Sequence, residues 1–144
     1  MRLPAVAIAV ALIASPALAA DAPPAPLSLI KTTTTSGGEP IALPPGPVEV
    51  TAIIAEIGPN ATTAVHEHPF LRYGYLLSGR LEISYLDTGE KKTLETGQFF
   101  VDPIGRWHQG RALDGKGVKM LIIDQAPPGK SNMVLRDPPP APTP

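Results

Sequence analysis

From Val48 to Gln125 the chain is a run of short apolar-rich segments, each stopped by glycine, proline or aspartate, and no window there keeps a 3.6-residue period. That punctuation restricts the fold more than any other feature. Val48 to Ile57 is rich in Val, Ile and Thr and ends at Gly58-Pro59-Asn60, and Thr62 to His68 is stopped by Pro69. Arg72 to Leu77 and Arg80 to Leu86 flank Ser78-Gly79 and read as a hairpin. In its second arm Leu81, Ile83 and Tyr85 alternate with Arg80, Glu82 and Ser84. After the turn at Asp87-Thr88-Gly89-Glu90 come two brief strands, Lys91 to Leu94 and Gln98 to Val101. Arg106 to Leu113 and Val118 to Gln125 join at Asp114-Gly115-Lys116-Gly117, a second hairpin signal. Roughly eight or nine short strands without a helix predict an all-β sandwich or barrel.

The chemistry-bearing residues are concentrated in the middle of that span. The chain has three histidines, His66, His68 and His108. His66 and His68 are one residue apart, so on an extended strand they project from the same face. A third imidazole from a neighbouring strand could then close a metal site, and neutral imidazole is the commonest protein ligand for Zn, Fe, Cu and Ni. There is no cysteine nucleophile, and no histidine is left over for a Ser-His arrangement.

At these residues the sequence resembles the cupin superfamily, in particular its small single-domain type-2-like members. The first cupin motif is a glycine, His-x-His, a Glu three or four residues on, and a glycine after six more. Here His66, His68, Arg72 and Gly79 stand at that spacing, with Arg72 in the Glu position and Gly58 two residues upstream of the usual leading glycine. The second motif is matched at full spacing by Gly97, Pro103, Gly105 and His108, with Ala112 where the family has Asn. The resemblance covers about residues 48 to 125.

The resemblance implies a single-domain cupin jelly-roll β-barrel wide enough for a small ligand pocket. It implies a divalent transition metal (Fe, Zn, Ni or Mn) on His66, His68 and His108, with positions open for water or substrate. Arg72 opposes that metal, because a guanidinium cannot coordinate and its charge repels a dication. A small anion could ligate the metal and take a bidentate pair from Arg72, or Arg72 could swing outward to an acidic neighbour such as Glu67. On that reasoning Arg72→Glu is expected to raise metal affinity. Tyr75 sits where cupins commonly carry an aromatic residue and is either a candidate ligand contact beside Arg72 or a core tyrosine with its hydroxyl at the rim. Trp107, next to inward His108, is expected on the outer sheet face, where it would serve either a subunit interface or plain edge packing, and with the apolar Val48 to Ile57 strand it motivates a homodimer.

The superfamily includes enzymes, storage proteins and binding domains. Three readings follow: a protein binding a metal and a small anion, a metal-dependent oxygenase or isomerase acting on a small carboxylate, and a metal-free sensor or binding domain. Whether it is an enzyme stays open, since no Glu or Asp is clearly directed inward.

The ends of the chain carry the remaining expectations. Residues 1–19 read as a secretory signal: Arg2, the apolar run Leu3 to Ala14, and a small-residue exit ending Ala17-Leu18-Ala19. The mature protein is therefore expected in the periplasm or secreted, with no membrane association after cleavage. Without Arg2, eleven Lys+Arg face thirteen Asp+Glu, and no basic run argues for nucleic acid. Residues 20–47 are a Pro/Thr/Gly-rich segment and 48–126 the cupin domain. Residues 127–144 hold seven prolines in eighteen positions and are expected as a disordered tail. Export without any cysteine leaves the apolar core, a metal or a partner subunit to hold the fold.

Overall fold

The computed structural model describes residues 26–136; the expected signal segment, residues 1–19, and the tail from residue 137 onward lie outside them. Among the described residues every element is a strand: β1 Glu49–Ile57, β2 His66–Glu67, β3 Leu71–Ser78, β4 Arg80–Tyr85, β5 Lys91–Glu95, β6 Phe99–Val101, β7 His108–Ala112, β8 Val118–Ala126 and β9 Val134–Leu135. They form two antiparallel sheets, ordered β1-β8-β3-β6 and β5-β4-β7-β2-β9. The all-β class is as the turn punctuation predicts; the architecture is two sheets face to face.

The alternation read in the sequence sets which side chains meet between the sheets. Ile57, Leu76, Phe100, Val118, Met120 and Ile122 of one sheet pack against Leu81, Ile83, Tyr85 and Ala112 of the other as one buried cluster. Strand spacing explains the choice, since Leu81, Ile83 and Tyr85 occupy every second position of β4.

Both expected hairpins are corrected. β3 and β4 flank Gly79 yet belong to different sheets, as do β7 and β8. The turns are corners at which the chain crosses the sandwich, and a tight glycine turn has the same sequence signature in either role. Gly79 has φ +87°, and a Cβ there would lie 2.4 Å from the Gly117 carbonyl oxygen, so the corner admits only glycine. The β4–β5 pair, across Asp87-Thr88-Gly89, is a true hairpin.

The flanking segments are built into the domain. Residues 34–40 carry a small bridge, Thr34 to Pro40, and the Ser36 amide donates to the Val101 carbonyl at 2.8 Å. The segment expected as a disordered tail from residue 127 is ordered through Arg136: Asn132 is buried and β9 pairs with β2. Its prolines cluster at 127–128 and beyond 137, leaving residues 129–136 with every amide available for pairing.

Candidate metal centre

His66 and His108 are direct partners in the β2–β7 ladder, and His68 follows two residues after His66 on the same face. The rings stand 4.5, 4.9 and 5.1 Å apart between centroids, and all three residues are buried. One ring nitrogen from each lies within 4.8 Å of the others.

Hydrogen bonding fixes which nitrogen that is. His66 Nδ1 lies 2.7 Å from the Ala64 carbonyl oxygen, His68 Nδ1 2.6 Å from that of Asn132, and His108 Nδ1 2.8 Å from that of Arg106. A carbonyl only accepts, so each Nδ1 carries the proton and each Nε2 presents a lone pair. Three neutral imidazoles with their outer nitrogens anchored to backbone carbonyls are the donor set that a transition metal takes. Burial lowers the pKa of all three rings. His68 is lowered to about 2, by desolvation first and then by the Arg72 charge. The shift favours the unprotonated rings, as a metal requires.

Arg72 stays inside the sandwich, buried beside His68. It faces Asp124 in register on β8, with Nε donating to Oδ1 at 2.7 Å and Nη2 to Oδ2 at 2.8 Å. The two-pronged face of the guanidinium is thus taken by a carboxylate that the sequence analysis did not identify. Only Nη1 reaches the centre, 3.3 Å from His68 Nε2. This replaces both expectations for Arg72, a free fork for a ligand and an outward swing to Glu67. Asn132 completes the network: its side chain donates to Asp124 Oδ1 at 2.7 Å and accepts from the Phe70 amide at 2.8 Å.

Tyr75 is not brought to the site. Arg72 faces the cavity, so strand alternation turns Tyr73 and Tyr75 to the opposite face of β3, and Tyr75 is absent from the cavity wall. Residues i and i+3 of one strand cannot share a face, which is the error in pairing Tyr75 with Arg72. Gly74 does face inward, under the Phe100 ring, where a Cβ would lie 2.0 Å from the ring. Trp107 is half-buried, with the Arg136 guanidinium 5.9 Å from its ring centre.

Asp102 was missed. It follows β6, shares the inward face with Phe100, and is 5% exposed. Its Oδ2 lies 3.7 Å from His68 Nε2, and its Oδ1 is buried without a hydrogen-bond partner. Burial raises its pKa to about 6, with Arg72 opposing the rise. The signal is the two-residue step from Phe100, obscured because β6 ends at Val101, one residue short of Asp102.

The centre opens into a cavity of about 240 Å³ walled mainly by apolar side chains, among them Ile57, Leu81, Phe100, Met120, Met133 and Leu135. Its polar lining is His66, His68, His108, Arg72 and Asp102, with Thr63 and Glu56 further out. That volume lies below the roughly 300–1,000 Å³ of drug-sized pockets and suits a ligand of a few heavy atoms.

Two facing sheets with three imidazoles converging between them define a small β-sandwich protein with a metal-ready interior. The sequence profile of the cupin domain matches residues 53–124, and the chain belongs to the cupin family. No curated protein sequence matches it. Among solved structures it is similar to an oxalate decarboxylase–formate complex from Lactobacillus farciminis (19% identity, TM-score 0.52, 60% of this chain and 26% of that one). It is also similar to an oxalate oxidase in complex with the substrate analogue glycolate (23%, 0.50, 60% and 45%). A third is an uncharacterised protein with a double-stranded β-helix domain from Klebsiella pneumoniae (18%, 0.51, 60% and 69%). The chain thus spans about a quarter of the first of these and under half of the second.

Proposed function

We propose that this protein is an exported cupin that binds a divalent transition metal (Fe, Zn, Ni or Mn) through His66, His68 and His108, and a small carboxylate anion in the cavity beside it. The single observation that carries the reading is the set of three Nδ1–H···O=C bonds, which leaves Nε2 unprotonated on three imidazoles whose ligand nitrogens lie within 4.8 Å of one another, that of His68 also 3.3 Å from Arg72 Nη1. An ordinary polar cluster has no need of three identical tautomers. The metal would supply Lewis acidity to a bound oxygen ligand. The Arg72–Asp124 pair is neutral as a unit, so a dication on neutral imidazoles keeps net positive charge, which favours an anionic ligand. The cavity's size favours a small one, and the formate and glycolate held by the two oxalate-acting relatives are of that kind.

A second reading is catalytic: a metal-dependent oxygenase or isomerase acting on a small carboxylate. Asp102 favours it, because a buried carboxylate beside the metal position supplies the inward acid that the sequence pattern lacked. For both readings we take the sandwich as the family's jelly-roll barrel and residues 1–19 as a signal that delivers the chain to the periplasm or medium.

The protein is further read as a homodimer. The outer face of the β1-β8-β3 sheet presents Val50, Ile54, Leu121, Ile123, Tyr73 and Tyr75, with Val50 and Ile54 more than half exposed. A contiguous apolar face of that extent suits a second copy of the chain.

The test is titration of the chelator-treated protein with Zn²⁺, Ni²⁺, Fe²⁺ and Mn²⁺, followed by formate or glycolate. One ion per chain, lost in His66→Ala and His108→Ala, with carboxylate binding only to the loaded protein, is the expected result. No ion bound by the wild type would leave the metal-free binding domain as the reading.

A further inference from the structure

The geometry points to Asp102 as the anionic ligand of the metal centre, taking from the adjacent strand the role that a Glu at position 72 would have. The inference rests on the three-histidine reading above and deepens it. Three observations converge. Asp102 is buried among Phe100, Arg72 and the imidazoles, and its backbone is pinned there by its amide donating to the Arg72 carbonyl at 3.0 Å. Its Oδ1 is buried without a partner, an arrangement that a folded protein seldom keeps unless something else completes it. Its Oδ2 stands 3.7 Å from His68 Nε2. Two donors, each about 2.1 Å from one ion at a tetrahedral angle, lie roughly 3.4 Å apart. The carboxylate and His68 thus stand within a few tenths of an ångström of the spacing of two ligands on one ion, and a small side-chain movement of Asp102 toward the three-histidine cluster would complete the set.

The charge pattern agrees. Asp124 takes the Nε and Nη2 edge of Arg72 and cancels its charge, which leaves Asp102 as the negative group of the inner cavity. A carboxylate held there without a partner costs stability in the metal-free protein, and a dication removes that cost. Position 72 and position 102 lie on adjacent strands, β3 and the end of β6, so the ligand changes strand while the cavity keeps one carboxylate.

The experiment compares wild type, Asp102→Asn, Asp102→Ala and His108→Ala for Zn²⁺ and Co²⁺ binding by calorimetry and for thermal stability without metal. Asp102→Asn and Asp102→Ala should bind Zn²⁺ about 10- to 100-fold more weakly than wild type, with the Co²⁺ visible spectrum altered. In the same measurements the metal-free Asp102→Asn protein should melt no lower than metal-free wild type. A purely structural carboxylate would give the reverse: a lower melting temperature with unchanged metal affinity. Equal Zn²⁺ affinity in wild type and both Asp102 variants overturns the inference while the three-histidine site stands. Absence of binding to wild type, or binding unimpaired in His108→Ala, overturns the site itself and this inference with it.

Discussion

Arg72 and Asp124 face each other in register on β3 and β8, joined by two charge-assisted hydrogen bonds of 2.7 and 2.8 Å, with both side chains almost excluded from water. The pair explains how a cation can occupy the position where the family carries a metal-binding Glu. Its charge is cancelled within the sheet, and its two-pronged edge is turned away from the imidazoles. Only Nη1 approaches His68 Nε2, at the distance of a weak hydrogen bond.

Breaking that pair should therefore damage both the fold and the centre. Asp124→Asn leaves a buried guanidinium uncompensated, with an expected loss of about 3–5 kcal/mol in denaturant unfolding. The freed Arg72 also strengthens its hold on His68 Nε2, so metal affinity should fall in the same variant. The double replacement Arg72→Met/Asp124→Leu removes both charges and should recover most of the stability. The expectation that Arg72→Glu strengthens the site does not survive Asp124, because the new carboxylate would face another in register and lie near Asp102. Equilibrium unfolding should show that single variant to be less stable than wild type.

The pH dependence of the metal-free protein follows from the imidazoles. Unfolded histidine takes up a proton near 6.5, whereas the folded sites resist it, His68 down to about 2. The unfolded state thus binds more protons as pH falls from 6.5, and stability falls with it, by about 1.4 kcal/mol per pH unit for each ring still unprotonated in the folded protein. Asp102 acts in the opposite sense. Its folded pKa of about 6 exceeds the ordinary 3.8, so its contribution is full below 3.8 and is lost as pH rises through 6. His68 acts over the whole interval below 6.5 and Asp102 only below about 6. His66 and His108 act in the same direction as His68, so urea midpoints should drop between pH 7 and pH 4.5. In Asp102→Asn the drop should be steeper, since the opposing term is gone.

The convergence of the three histidines was legible in the sequence, and the reasons differ from residue to residue for the rest. His66 and His68 share a face because a two-residue step on a strand fixes it without any knowledge of the sheet order, whereas His108 joins them through the β2–β7 pairing, which the resemblance rather than the spacing implied. Asp102 was legible by the same rule, as the second residue after Phe100, once the inward face extends one step past the strand. The Arg72–Asp124 pair was not, because it depends on the register of strands 52 residues apart in sequence. The two corners at Gly79 and at Gly115–Gly117 carry ordinary hairpin residues, and nothing local distinguishes a turn within a sheet from one between sheets. Asn132 was concealed by composition, since a proline-rich terminus predicts disorder even where its middle residues are free of proline.

The outer apolar face gives a prediction about assembly. Sedimentation at micromolar concentration should show a dimer. Ile54→Asp and Leu121→Asp, placed on adjacent strands of that face, should shift it to monomer with the β-rich circular dichroism unchanged. Trp107 is not the centre of this surface, being packed beside Arg136, and Trp107→Ala should leave the dimer intact. A monomeric wild type would remove the second-copy reading.

The last prediction concerns the segment that closes the cavity. Asn132 ties three parts of the centre together: its carbonyl oxygen fixes the His68 tautomer, its amide nitrogen holds Asp124, and its amide oxygen takes the Phe70 amide. Met133 and Leu135 follow it as cavity wall, and β9 pairs with β2 at His66. Asn132→Ala keeps the backbone carbonyl that anchors His68 but loses the side-chain bonds, leaving buried polar groups unpaired at a cost of about 1–3 kcal/mol. Metal affinity should then change little, because all three imidazoles keep their carbonyl partners. Truncation after Ala126 removes that carbonyl as well as the wall. His68 would lose its anchor and the cavity its closure, so metal binding should weaken severely and carboxylate binding should vanish. Calorimetric titration of the two proteins separates the roles. Equal metal affinity in the truncated and full chains would show that His68 needs no partner from this segment.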